Sequence, residues 1–111
     1  NNVQVIKSKL DDISLEDQVD YLFMCSLYHM IYGVSPEAER ANFIGSIKKA
    51  LKKGGRLVIV DNGPVENALM PYHGPYITKE LIIAQLAYYG FKLEKYDQII
   101  PQRYMLTFRL D

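Results

Sequence analysis

An open α/β sheet, with parallel central strands and a C-terminal antiparallel strand pair, is the fold the sequence predicts. Three observations carry that prediction. Two short, nearly continuous apolar runs, "VDYLFMC" and "RLVIV", fit strands covered on both faces. A strong helical pattern, "SPEAERANFIGSIKKALKK", separates them. Toward the C-terminus, "FKLEKY" and "RYMLTFRL" alternate with period two.

Taken in order, "VQVIK" at 3–7 alternates and predicts a short strand. The polar, acidic "SKLDDISLEDQ" predicts a loop. The run from Val19 predicts a strand ending near Cys25 or Ser26, with Tyr28 turned toward the core. The helix is expected over 35–53. Ser35 is its candidate N-cap, Pro36 its first residue, and Glu37 and Glu39 complement the positive end of its dipole. Phe43, Ile44, Ile47, Ala50 and Leu51 form one apolar face. Lys48, Lys49, Lys52 and Lys53 crowd the other end, and Gly54 suits a left-handed cap. That lysine run reads as a solvated helix end. Strand 56–60 follows, then an irregular segment, "GPVENALMPYHGPY", of a length that often serves function. Thr78 is placed to cap a second helix, "KELIIAQLAYY", with Ile82, Ile83, Leu86 and Tyr89 inward and Gly90 as its stop. The last two strands are joined through "DQIIPQ".

Composition narrows the function. The 111 residues make one domain at most, with 13 basic and 13 acidic side chains. Balanced charge carries no footprint of a nucleic-acid or anionic-membrane binder. The nine tyrosines sit at strand and helix spacing, so packing accounts for them better than base stacking. Cys25, the one cysteine, suits a reducing compartment, and a cytoplasmic protein is expected. No apolar run approaches the roughly 18 residues that span a bilayer.

A helical crossover between the strands at 19–25 and 56–60 makes them parallel, so their carboxyl ends share one edge. Ligands of open α/β sheets bind at that edge. Met24 to His29 and Asp61-Asn62-Gly63 are therefore expected to face one crevice, with the loop bearing His73 rising beside it.

The ordered segments "LDDISLEDQVDYLFMCSLYHMI", "IKKALKKGGRLVIVDNGP" and "GFKLEKYDQIIPQRYMLTFRL" resemble the class I S-adenosylmethionine-dependent methyltransferases over nearly the whole chain. The resemblance implies a partial Rossmann-like methyltransferase sheet. It implies S-adenosyl-L-methionine as cofactor; it leaves the methyl acceptor unknown, and the absence of a basic surface favours a small molecule. The family's glycine-rich turn is not matched: glycines stand at 33, 45, 54, 55, 63, 74 and 90, none as G-x-G after a strand. Residues 1–111 thus correspond to the C-terminal portion of one such domain. The expected partner is the N-terminal half or another chain completing the sheet, a second copy included.

The resemblance also assigns residues. Asp11 or Asp12, in the acidic loop, would meet the adenine; a solvated polar loop is the plain alternative. Met24, Cys25 and Ser26 would touch the cofactor where the strand ends, though ordinary strand packing explains Met24 and Cys25 equally well. Ser26 stands where relatives often carry Asp. His29 matches the first histidine of a "YHH" pattern whose second is Met30 here, and suits a general base; a packed histidine is the alternative. Asp61 and Asn62 turn the chain or bind substrate, and His73 is a candidate substrate contact. No ligand spacing supports a metal. The competing function is a non-catalytic half-domain that serves as a binding or scaffold subunit.

Overall fold

The computed structural model describes residues 3–9, 12–13, 15–64 and 76–110. The apolar run of the first half divides in two. Strand β1 (Val19–Cys25) ends where expected, and a short helix α1 (Tyr28–Val34) follows that the sequence reading missed. Tyr28 opens α1 and is buried, as anticipated. Helix α2 is Glu37–Ala50. Ser35 is no N-cap: its amide donates to the Ile31 carbonyl and closes α1. Pro36 occupies the position before α2, in extended backbone, and no side chain caps that helix.

Strand β2 (Leu51–Asn62) starts at once after α2, so the helix is shorter and the strand longer than expected. Leu51 still bonds back to Ile47 through its amide but is already extended. Lys52 to Gly55 form an irregularity in which β1 advances from Val19 to Tyr21 while β2 advances from Leu51 to Arg56. Gly54 has φ +77°, so its left-handed backbone serves this bulge and not a helix cap. Gly55 is required for another reason. A Cβ there would lie 2.8 Å from the Lys52 carbonyl and 3.1 Å from the Asp20 carbonyl.

Helix α3 (Lys79–Tyr88) has Thr78 at its N-cap position without a side-chain cap bond, and Gly90, φ +95°, ends it. Strand β3 (Phe91–Ile100) runs further than predicted, with irregular pairing near Glu94 and Ile99. A two-residue turn, Pro101-Gln102, leads into β4 (Arg103–Leu110).

The sheet order is β1-β2-β4-β3. β1 and β2 are parallel, while β4 is antiparallel to both β2 and β3. This is the mixed α/β sheet anticipated. The strand expected at 3–7 does not form: residues 3–8 belong to no strand and lie exposed. Alternation makes a strand only where another backbone receives its hydrogen bonds, and no described strand pairs with this segment. Asp12 instead closes an isolated bridge to Lys9.

Register separates the two faces. Leu22 and Met24 align with Leu57 and Ile59, which align with Phe108 and Leu106. These residues pack with Tyr28, Ile31, Phe43, Ile44, Ile47, Ile82 and Leu86 into one core, so all three helices cover the same face. The other face carries Tyr21 and Phe23, 66% and 63% exposed, beside Val58 and Thr107. Among the described residues no helix is long and apolar enough to cross a membrane.

Candidate functional site

The parallel pairing of β1 with β2 puts Cys25 opposite Val60 and brings both carboxyl ends to one edge. The chain leaves β1 through Ser26, whose φ of +57° is left-handed, a conformation that costs a non-glycine residue about 1 kcal/mol or more. The Ser26 amide donates to the Val60 carbonyl at 2.8 Å and pins this turn to β2. Two residues on, α1 begins, and its first turn is delivered directly over the end of β2.

Asp61 receives that turn. It has no solvent exposure, and its carboxylate is held from three directions. The His29 amide donates to Oδ2 at 3.0 Å, His29 Nδ1 lies 2.7 Å from Oδ1, and the Asn62 amide donates to Oδ1 at 2.8 Å. A buried carboxylate is tolerable only when saturated in this way. The bond also orders the imidazole. A carboxylate can only accept, so in the neutral ring Nδ1 carries the hydrogen and Nε2 carries the lone pair. The His29 side chain keeps 14% exposure, and no hydrogen bond engages Nε2 among the described residues.

Tyr104 sits opposite Asp61 in register and donates its hydroxyl to the Ile77 carbonyl at 2.7 Å. Burial, and then the Asp61 charge, push its phenol well above the usual tyrosine range. Gly63 is close to the same ring, since a Cβ there would come within 3.3 Å of Tyr104 Cε2. The Gly63 amide bonds to the Gln102 carbonyl, and the Ile77 amide to the Asn62 carbonyl, so the returning chain is tied to the strand end on both sides. Tyr28 donates to Gln85 Oε1 beneath α1; burial, and after it Tyr89, raises that phenol too.

On the open face of the same edge, Arg103 crosses from β4 over β2 to β1. Its Nη2 donates to Ser26 Oγ at 2.8 Å and its Nη1 approaches Cys25 Sγ at 3.4 Å. The sequence reading absorbed Arg103 into an alternating strand. Its signal was positional: a cation at the first residue of β4, in register with Asn62.

The structure thus gathers His29, Asp61, Asn62, Cys25 and Ser26 at one edge. Met24 is buried one step inside, where it packs in the core. Asp12 is exposed and placed beside α2, near Ala41, Ser46 and Lys49; no described contact joins it to the end of β1. Asp11 and His73 lie outside the described residues. Among the described residues no three His, Cys, Asp or Glu side chains gather as for a metal ion.

No protein-family model and no curated protein matches the chain. Solved structures do match. A SAM-dependent methyltransferase from Aquifex aeolicus superposes with a TM-score of 0.81 at 21% identity, over 99% of this chain and 56% of that one. The glycopeptide N-methyltransferase MtfA gives a TM-score of 0.72 at 11% identity, over 96% and 60%. A complex described as DhpI-SAM-HEP gives 0.72 at 19%, over 97% and 58%. The chain therefore spans a little over half the length of the structures it matches. Its sheet and helices have the fold of the corresponding part of a SAM-dependent methyltransferase domain.

Proposed function

We propose that this chain is the C-terminal portion of a class I methyltransferase domain that uses S-adenosyl-L-methionine and methylates a small molecule. The observation that carries the proposal is the His29–Asp61 pair, held at the carboxyl edge of the parallel strands in the fold of methyltransferases. The donor supplies a methyl group made electrophilic by its sulfonium. Everything else is work for side chains. His29 Nε2, which keeps its lone pair while Asp61 holds Nδ1, accepts the proton of an acceptor hydroxyl or ammonium. Asp61 positions the ring and stabilises the imidazolium that results. Asn62, at the strand end, is the candidate contact to the acceptor.

The residues present fit one side of the donor only. The end of β1, with Cys25 and Ser26 flanking an irregular turn, offers backbone to the donor, while Met24 supports that turn from the core. No glycine turn follows β1 to cradle the donor's amino-acid end. The unpaired edge of β1 and the exposed Tyr21 and Phe23 accept a further layer, the N-terminal half or a second polypeptide completing the sheet. Asp11, Asp12 and His73 take no part in the geometry on which the proposal rests. The exposed thiol of Cys25 fits a reducing, cytoplasmic setting.

The same open edge favours one alternative, a non-catalytic half-domain that binds a partner through β1. Isothermal titration with S-adenosylhomocysteine separates the readings. Binding to a longer polypeptide that includes the upstream coding sequence, and not to this chain alone, is the expected result. No binding in either form rejects the methyltransferase reading and leaves the scaffold.

A further inference from the structure

Arg103 is a half-buried cation, and among the described residues it forms no ion pair. What it touches instead is weak for a guanidinium: a neutral hydroxyl at 2.8 Å and a thiol at 3.4 Å. Removing a charge from water without a counter-charge is unfavourable, and neutral acceptors offset that poorly. Arg103 nevertheless extends over a full strand to reach the edge where His29 and Asp61 lie.

Two neighbours sharpen the picture. Ser26, which Arg103 grips, holds a left-handed backbone that the turn alone does not favour. Asn62, in register with Arg103 and so on the same face, has a buried Oδ1 without a hydrogen-bond partner among the described residues. Among the described residues, a guanidinium without an anion and an amide oxygen without a donor thus share register at the carboxyl edge. A ligand bearing an oxyanion satisfies the guanidinium.

We propose that Arg103 is an anion-binding and specificity-determining residue, and that the methyl acceptor carries a carboxylate or phosphoryl group which this guanidinium holds. The acceptor's identity as such rests on the methyltransferase reading; the anion site does not. His29 faces the helix-covered side of β2 and Arg103 the open side. An acceptor lying across the strand end therefore places its reacting heteroatom at one and its acidic group at the other. Arg is suited to this because its planar fork matches two oxygens at once.

Inorganic phosphate, which carries both an oxyanion and an O–H, is the probe. Calorimetric titration of the chain at fixed ionic strength is expected to show saturable binding that weakens about tenfold in Arg103→Gln, the loss of one charge-assisted contact. Arg103→Lys is expected to retain part of it. The main competitor is the lysine cluster at 48–53, so Lys52→Gln with Lys53→Gln serves as control and is expected to change nothing. Absence of saturable binding in the wild-type chain overturns the proposal. So does equal affinity in Arg103→Gln, or a loss that follows the lysine control instead. If Arg103→Gln does not fold, Ser26→Ala decides: it frees Nη2 and is expected to tighten phosphate, and unchanged affinity counts against the site. None of these measurements needs a methyl donor, so their failure leaves the methyltransferase reading standing, and failure to bind S-adenosylhomocysteine leaves this one.

Discussion

The two faces of the sheet both carry large apolar residues, and these have different fates. On one face, Leu57, Ile59, Leu106 and Phe108 are fully buried beneath the three helices. On the other, Tyr21 and Phe23 stand more than half exposed on an edge strand. β1 carries apolar side chains on both faces, yet only the inward set packs into the core beneath the helices. A strand apolar on both faces belongs in a sheet covered on both sides. The contrast teaches that β1 carries the sequence of a central strand while holding the position of an edge. Val60 alone is buried on that side, at the end of the sheet that Arg103 crosses.

Substitution tests the contrast most severely. Phe108→Ala opens a cavity in the covered core and is expected to cost about 3–5 kcal/mol in urea denaturation. Phe23→Ala, on the open face, is expected to change the stability of this chain by no more than about 0.5 kcal/mol. In a longer polypeptide that supplies the second layer, Phe23→Ala moves toward the larger figure. Equal losses from the two substitutions in the isolated chain would mean that the open face is already covered.

The candidate site spans both faces, and its halves differ in the same way. Asp61 lies on the covered side with three donors, so Asp61→Ala strands the amides of His29 and Asn62 and is expected to cost about 2–4 kcal/mol. His29→Ala removes only the ring and leaves the backbone bond, so roughly 1 kcal/mol is expected. Denaturation midpoints for the two variants check the order. A larger loss for His29→Ala would show that the imidazole, and not the carboxylate, anchors the start of α1.

Much of this arrangement was legible in the residues, for reasons that also explain the misses. The end of β1, the inward face of α3 and the register-bearing alternation of β4 each follow from one local period, and each stands as expected. Helix α1 was hidden because Tyr28–Val34 has no side-chain cap and no acid in its first turn. Its apolar residues continue the run of β1, and nothing in them marks a new element. The start of β2 was hidden because lysines followed by Gly-Gly are ordinary helix-end chemistry; here they form a bulge whose need for Gly55 comes from the Asp20 carbonyl of another strand. Residues 3–8 show the converse, a strand pattern without a partner. At the site, His29 and Asp61 could each be placed on the shared edge by topology, but their bond depends on a helix that was not foreseen. Arg103 was missed because reaching across two strands leaves no trace in local spacing.

The smallest effect concerns the tyrosine beneath the site, and it has a sign that pH can test. Tyr104 belongs to the covered face, where burial and the Asp61 charge both favour its neutral form. Its phenol is therefore harder to ionise in the folded chain than in the unfolded one. Below about pH 10, the ordinary tyrosine value, both states keep the proton and the stabilising difference is fully present. As pH rises beyond that, the unfolded chain ionises first and stability is lost. Tyr104→Phe gives up the bond to the Ile77 carbonyl, so at neutral pH it is expected to cost only about 1 kcal/mol. It also removes this ionisation, and the variant's stability should fall less steeply than the wild type's between about pH 10 and 11. Tyr28 is buried in the same layer and contributes a parallel alkaline loss, so the slope should flatten only in part. Denaturation curves for both proteins at neutral and alkaline pH measure the difference. Identical slopes would place the Tyr104 hydroxyl in solvent, and with it the Asp61 end of the covered face.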